Sequence, residues 1–280
     1  MAITNFIPTI WSENLLTALD KQYIAVANCN RDYEGEIKNK GSVVKICGVG
    51  DITVSDYTKD TDMSAPQALS DTVMELKIDQ AKFFNFQIDD VDKAQCTPKL
   101  MEAAMKSAAS AMANEADKYV YSLYKNATRN IPHSDLNDGK FLDTIIEARQ
   151  VLYENNVTDN DSVILEVSPA VASVILKENL ALTNNNENFE NGYLGSVAGC
   201  KIYVSNNIAK VVDDLGNIAH KCIMRTKRAI AFAEQLSEID AYRPEKRFAD
   251  AVKGLHLYGA EIVYPSEIIV LDCNVLSPEE

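Results

Sequence analysis

Histidine is scarce in this sequence, and the residues that commonly carry chemistry do not stand in reactive patterns. The three histidines, His133, His220 and His256, show neither the His-x-x-x-His spacing of a metal site nor a nearby acidic pair of metal-ligand type. Gly48 and Gly50 lack the third glycine of a dinucleotide-binding loop, and no Gly-x-Ser-x-Gly nucleophile elbow occurs. No active site is visible, so we expect a protein that is not an enzyme and needs no cofactor or metal.

Two further absences concern membranes and disulfides. No stretch approaches the roughly 20 consecutive apolar residues that cross a bilayer, and residues 1–6 contain no basic segment leading into an apolar signal. No two cysteines form a Cys-x-x-Cys pair. Cysteines scattered in this way are typically small buried hydrophobic residues of a protein in a reducing compartment. The six are Cys29, Cys47, Cys96, Cys200, Cys222 and Cys273. We therefore expect a protein of a cytoplasm-like compartment with no membrane partner.

Positive charge is scarce. The chain has 27 Lys and Arg against 41 Asp and Glu, a formal net charge of −14. It lacks the basic surface that duplex DNA requires, so any contact with nucleic acid is expected to be weak. With 46% hydrophobic and 24% charged residues, the 280-residue chain is nevertheless composed like a globular protein with a sizeable core.

The pattern of residues 1–40 indicates an N-terminal arm that is partly amphipathic. Apolar residues recur at helical spacing through Leu19, Tyr23 and Val26. This stripe either packs on a neighbouring subunit or covers the core of its own chain.

From Gly41 onward the pattern predicts an extended β-hairpin of about 40 residues. Met74, Leu76 and Ile78 alternate with charged residues in the period of two that marks a half-exposed strand, and Phe83 to Ile88 continue the pattern. The tip, residues 55–71, is polar and includes Asp60 and Asp62. Because an isolated two-stranded ribbon is only marginally stable in water, we expect the apolar face to lie on another subunit.

The strongest local signal predicts one long helix over residues 97–126. Thr97 is a suitable N-cap and Pro98 suits the first helical position. One apolar face persists for six turns, through Met101, Met105, Ala108, Met112, Ala116, Tyr119 and Leu123. Neither glycine nor proline interrupts it, so the helix is expected to cross a whole domain with its methionines in the core.

The remaining chain predicts a compact α/β region and a return to strands. A helix over 141–153, a buried strand over 162–167 and a helix opened by Ser168 and Pro169 follow one another. Later apolar segments at 200–204, 229–233 and 268–271 have the pattern of strands.

This order of elements resembles the major capsid proteins of tailed bacteriophages, which share the Hong Kong 97-like fold. Two segments carry the resemblance most closely. The stretch Gly195 to Ile208 looks like the family's small loop, glycine, apolar strand, Ser and Asn, and Gly254 to Pro265 looks like its late strand, Tyr-Gly, strand and Pro. The resemblance covers roughly residues 1–275.

The resemblance implies an α+β capsid fold divided into four parts. These are an N-terminal arm at 1–40, an extended hairpin loop at 41–92, a peripheral domain at 93–135 with 225–276 that contains the spine helix 97–126, and an axial domain at 136–224.

The implied function is a coat protein that self-assembles into the hexamers and pentamers of an icosahedral shell around phage DNA. Its implied place is the virion, after assembly in the host bacterial cytoplasm, with a separate scaffolding protein and a portal as partners. Met74, Leu76, Ile78, Asp60 and Asp62 are the expected assembly residues. Two alternatives stay open: the shell protein of an encapsulin-type nanocompartment, and an enzyme without recognisable motifs.

Overall fold

The fold combines helices and sheets. A computed structural model describes residues 22–33, 41–49, 71–89, 100–133, 138–157, 163–178, 192–212, 217–246 and 248–275, with positions 54, 56, 59, 135 and 136. The mixture of helix and sheet agrees with the predicted class.

The long helix lies where the apolar spacing predicts it. Helix α1 spans Leu100–Ser122 and continues as a 3-10 helix over Leu123–Asn126. The predicted cap at residues 97–99 lies outside the described residues. Met112 is buried and Met105 is partly buried, because the inner face of α1 packs on a three-stranded sheet.

That sheet has the strand order β10-β11-β3 and is antiparallel throughout. Its strands are β3 (Gln80–Asp89), β10 (Ile230–Tyr242) and β11 (Ala249–Ile262). Alternate residues point to opposite faces, so Phe84, Phe86 and Val252 share the inner face with α1. We call this packed layer the first core cluster.

A seven-stranded mixed sheet carries the second core cluster. The strand order is β4-β12-β9-β5-β7-β6, and β8 pairs with β9 beside this path. The strands are β4 (Asn130–His133), β5 (Val163–Val167), β6 (Tyr193–Val197), β7 (Cys200–Val204), β8 (Lys210–Val212), β9 (Ile218–Thr226) and β12 (Ile268–Val275).

Two helices contribute to this second cluster. Helix α2 spans Phe141–Glu154 and α3 spans Pro169–Lys177, close to their predicted positions. The α3 N-terminus has the predicted cap, since the Ser168 side chain accepts a hydrogen bond from the Val171 amide. Every residue of β5 is buried, because both faces of the sheet are covered at this strand.

Strand β9 separates the two clusters. Cys222 and Met224 point into the second cluster, whereas Ile223 points into the first. The seven-stranded sheet therefore has one face on each core, and the side of β9 that carries Ile223 also carries Arg225.

The predicted hairpin forms from two strands, the second of which ends at Lys77, and the chain then changes partners. Strands β1 (Val43–Val49) and β2 (Asp71–Lys77) pair antiparallel in unbroken register. The segment after Ile78 does not continue the hairpin, because β3 hydrogen-bonds to β11 instead. The predicted extension through Phe83 to Ile88 is thus part of the three-stranded sheet.

Within the described residues, no helix has the length and apolar character needed to cross a membrane. The described His, Cys, Asp and Glu side chains form no group of three that could hold a metal ion. Cys29, Cys200, Cys222 and Cys273 are buried and free. Burial raises the pKa of Cys29 and of Cys200 to about 11, so these two thiols are protonated and unreactive near neutral pH.

The packing of α1 can be tested with one carboxylate placed at two neighbouring positions. Met112→Asp would bury a charge in the first core cluster, and we expect the free energy of unfolding to fall by about 3 kcal/mol or more. Ala111→Asp adds the same group on the exposed side of the helix and should cost about 0.5 kcal/mol or less. Urea unfolding of the unassembled protein measures both, and equal losses would contradict the assignment of the helix faces.

Candidate functional site: a buried polar junction and the hairpin

A fully buried ion pair lies between the two core clusters. The Arg225 guanidinium on β9 donates to both carboxylate oxygens of Glu166 on β5, at 2.9 Å and 3.0 Å. Both side chains have no exposed surface. A two-pronged arginine–carboxylate contact is among the strongest hydrogen-bonded arrangements in proteins, and it joins adjacent strands of the seven-stranded sheet.

The same guanidinium also holds the N-terminal segment. Arg225 donates to the backbone oxygens of Asn28 at 2.6 Å and Ala25 at 3.0 Å. Asn28 is the last residue of a short 3-10 helix, Val26–Asn28, and Ala25 precedes it; the Ala25 oxygen also accepts the Asn28 amide at 3.1 Å. Arg225 therefore fixes both the sheet and the segment that covers it.

Asp117 secures the opposite side of this segment. Its carboxylate accepts hydrogen bonds from the backbone amides of Ile24, Ala25 and Val26, each at 3.1 Å. Asp117 lies on α1, so the segment is attached to the helix as well as to the sheet. Burial raises the pKa of Asp117 to about 7, while the three amides act in the opposite direction by stabilising the charged form.

A third contact ties the segment to the three-stranded sheet. Glu234 on β10 accepts a hydrogen bond from the Tyr23 hydroxyl and pairs with the Arg31 guanidinium at 2.7 Å. It also contacts His256 Nε2 at 2.8 Å. Burial by itself would raise the pKa of Glu234, but the His256, Tyr23 and Arg31 contacts together hold it below its usual value.

We call this set the polar junction: residues 23–31 with Asp117, Glu166, Arg225, Glu234 and His256. A group of buried titratable residues is also a pattern found in active sites. Here the charged side chains of Asp117, Glu166 and Arg225 are at most 1% exposed, and their hydrogen bonds are made within the chain. The arrangement supports a structural role, because a substrate could not reach these groups.

The junction decides between the two alternatives for the N-terminal stripe over residues 22–33. Tyr23, Ala25 and Val26 are fully buried in the first core cluster of their own chain. This part of the arm covers the core of its own chain. The rest of the predicted arm, residues 1–21 and 34–40, lies outside the described residues.

Two of the five expected assembly residues are packed inside their own subunit, whereas the sequence predicted that they lie on another one. Leu76 and Ile78 are fully buried, together with Val44 and Ile46, against Ala231, Ala233 and Leu257 of the three-stranded sheet. Their alternating pattern indicated a face that needs a covering surface, but that surface belongs to the same chain. We call this group of buried residues on the hairpin and the three-stranded sheet the third cluster. Met74 is half-buried against it, and Asp60 and Asp62 lie outside the described residues.

The hairpin packs closely against the three-stranded sheet of its own subunit. A Cβ atom at Gly259 on β11 would stand 2.1 Å from the backbone oxygen of Lys77, so only glycine fits there. The Gly41 amide and the Ile78 amide extend the β1–β2 ladder by two further hydrogen bonds. The base of the hairpin is thus part of the folded subunit.

Solved structures that are similar to this chain agree with this architecture. The chain is similar to a structure from Mycobacterium phage Che8, with 28% sequence identity, a TM-score of 0.68, and coverage of 96% of this chain and 98% of that one. It is also similar to the capsid structure of cyanophage P-SCSP1u, with 14% identity, a TM-score of 0.69, and coverage of 91% and 89%. No family model and no curated protein matches the chain.

The fold is therefore that of a phage capsid protein, and the predicted resemblance to the major capsid proteins of tailed bacteriophages is confirmed. A virus-like particle from Pyrococcus furiosus is similar as well, with 12% identity, a TM-score of 0.56, and coverage of 93% of this chain and 96% of that one. At that identity the likeness extends to the fold alone.

The contribution of the buried ion pair can be measured by a double-mutant cycle. Arg225→Met leaves the Glu166 carboxylate buried without its partner, and we expect a loss of about 3–5 kcal/mol in the free energy of unfolding. Combining it with Glu166→Leu should cost less than the sum of the two single losses, because the second change removes the stranded charge. Additive losses would contradict a direct interaction.

Lys118→Met is a matched control for that cycle. Lys118 pairs with Glu115 at 2.9 Å on the surface of α1, where both side chains are about half exposed. Exposed pairs contribute roughly 0.2–1 kcal/mol, so this variant should unfold at nearly the wild-type urea concentration.

The placement of the hairpin face can be tested by two serine substitutions on β2. Leu76→Ser opens a polar cavity in the third cluster and should lower the stability of the unassembled subunit by about 3 kcal/mol. Val73→Ser, at a position 47% exposed on the opposite face, should cost about 1 kcal/mol or less. A Leu76→Ser subunit as stable as the wild type would show that Leu76 is covered by another molecule.

Proposed function

We propose that the chain is a structural major capsid protein that self-assembles into the hexamers and pentamers of an icosahedral phage shell. The observation that carries the proposal is the likeness to the Che8 phage structure over nearly the whole of both chains. The cyanophage capsid adds support, because the same arrangement of elements recurs there at low identity.

In the proposed subunit, α1 is the spine helix of a Hong Kong 97-like peripheral domain. Residues 93–135 and 225–276 form this domain, residues 136–224 form the axial domain, 1–40 the arm and 41–92 the extended loop. The two core clusters support two such centres of packing, although β4 and β12, which this division assigns to the peripheral domain, belong to the seven-stranded sheet and contribute to the second cluster. The border near residue 225 falls inside β9, where consecutive side chains point to different clusters, so the two domains would be joined by a continuous sheet.

A structural role also accounts for the buried carboxyl groups of the chain. The strongly perturbed carboxyl groups lie inside the polar junction, where they hold the fold together. The partners in this proposal are further copies of the chain, a separate scaffolding protein and a portal, with packaged DNA touched only weakly because of the net charge of −14. The mature location would be the virion, after assembly in the host bacterial cytoplasm.

Electron microscopy of the purified protein tests the proposal directly. Closed shells, capsomer rings or flat sheets made of this chain alone or with a scaffold would support it, and a protein that stays monomeric under all assembly conditions would overturn it. Particles from infected cells that contain DNA agree with a phage coat. Particles that contain enzyme cargo would instead support the nanocompartment reading, for which the Pyrococcus particle is the structural parallel.

The polar tip of the hairpin offers a sharper test of how shells form. Replacing residues 55–70 with a short Gly-Ser bridge keeps β1, β2 and the third cluster intact, so the subunit should fold with unchanged circular dichroism and stability. We expect sedimentation to show monomers or single capsomers and no shells, because the tip is mostly polar, with apolar residues at only five of its sixteen positions, and so has little surface with which to pack on its own subunit. Normal shells from the shortened chain would contradict this role.

A further inference from the structure

Among the residues that the structure describes, the outer face of the three-stranded sheet is covered at one end and exposed at the other. The third cluster covers the end that includes Leu257, where the hairpin lies over β10 and β11. The next pair on the same face is Phe83 on β3, directly opposite Leu255 on β11. Phe83 is 78% exposed and Leu255 is 37% exposed, so the apolar surface continues into solvent.

Polar side chains border this pair on the side away from the hairpin. Tyr242 and Asn85 exchange hydrogen bonds at 3.1 Å and 3.2 Å, and Lys253 pairs with Asp240 at 3.3 Å. The Lys253 ammonium also stands 5.5 Å from the centre of the Tyr242 ring. An aromatic side chain beside a fixed polar border is the usual anatomy of a protein contact surface.

We infer that Phe83 and Leu255 form a contact site for a second copy of this chain in the assembled particle. The inference rests on the proposed function, which supplies many identical copies.

The size of the surface favours that occupant over an unrelated protein. A stable two-protein complex buries about 800 Å² on each partner, whereas one phenylalanine buries about 150–250 Å² in total. A contact of this size is too small to hold a lone partner. It becomes significant when the same weak contact repeats around a closed ring of identical subunits.

Two serine variants of the full chain test the inference. Phe83→Ser should leave circular dichroism and the melting temperature unchanged, because the side chain is mostly in solvent. The protein concentration needed to form shells should rise by at least about tenfold, the effect of losing one modest apolar contact. Phe248→Ser is the matched control, since Phe248 is 82% exposed just before β11 and outside this pair. Shells at the wild-type concentration from Phe83→Ser, or an equal loss in both variants, would overturn the inference.

A photo-crosslinking amino acid at position 83 identifies the occupant. In particles from infected cells, the expected product is a covalent dimer of this chain that is absent from unassembled protein, with position 248 as the control. Crosslinks to a different protein, or only within one subunit, would overturn the inference. Wild-type shells that form normally while position 83 yields no dimer would leave the proposed function intact, whereas a failure of the wild type to assemble would overturn both.

Discussion

The fold depends on one requirement: each nitrogen of the buried Arg225 guanidinium needs a hydrogen-bond acceptor inside the protein. A buried charge without its partners is strongly destabilising, so Glu166 and the carbonyls of Ala25 and Asn28 must all be in place together. These partners come from a strand and from the N-terminal segment, which are 59 to 200 residues away from Arg225 along the chain. The native arrangement is therefore selected as a unit. Such ion pairs add little net stability compared with an apolar substitute, but they penalise any arrangement that leaves one group unpaired.

This requirement links the two core clusters. The N-terminal segment is held by α1 through Asp117, by the seven-stranded sheet through Arg225 and by the three-stranded sheet through Glu234. The hairpin base is fixed separately, by the packing of Leu76 and Ile78 on the third cluster. A subunit built this way is largely folded before it meets another copy. In the proposed shell, the polar tip of the hairpin and the exposed Phe83 would remain for contacts with other copies.

Patterns that depend on local geometry could be predicted from the sequence. The spacing of four and three residues placed α1, and the Ser-Pro pair placed the start of α3, because both reflect the backbone within a few turns. Alternation in β2 showed which side chains share a face but carried no information about which molecule covers that face. Leu76 and Ile78 were for this reason expected to lie on another subunit, although Ala231 and Leu257 of the same chain cover them.

The polar junction was missed for a similar reason. Glu166 stands alone in an apolar strand and Arg225 directly follows the apolar run Cys222 to Met224; a charged residue in such a position is a signal that a buried partner exists. The sequence does not say which residues pair, because the partners meet only after the sheet has formed. Tyr23 and Val26 were recognised as part of an apolar stripe. Most of the contacts beside them are made by backbone carbonyl and amide groups, and the residue type does not show which of these groups take part.

Hydrogen exchange compared between unassembled subunits and shells tests the central claim, that the subunit is folded around its own polar junction before it assembles. We expect the amides of Ile24, Ala25 and Val26, which bind Asp117, to be equally protected in both states, and likewise those of β2. Rapid exchange of these amides in the unassembled subunit, with protection gained only in the shell, would contradict the claim.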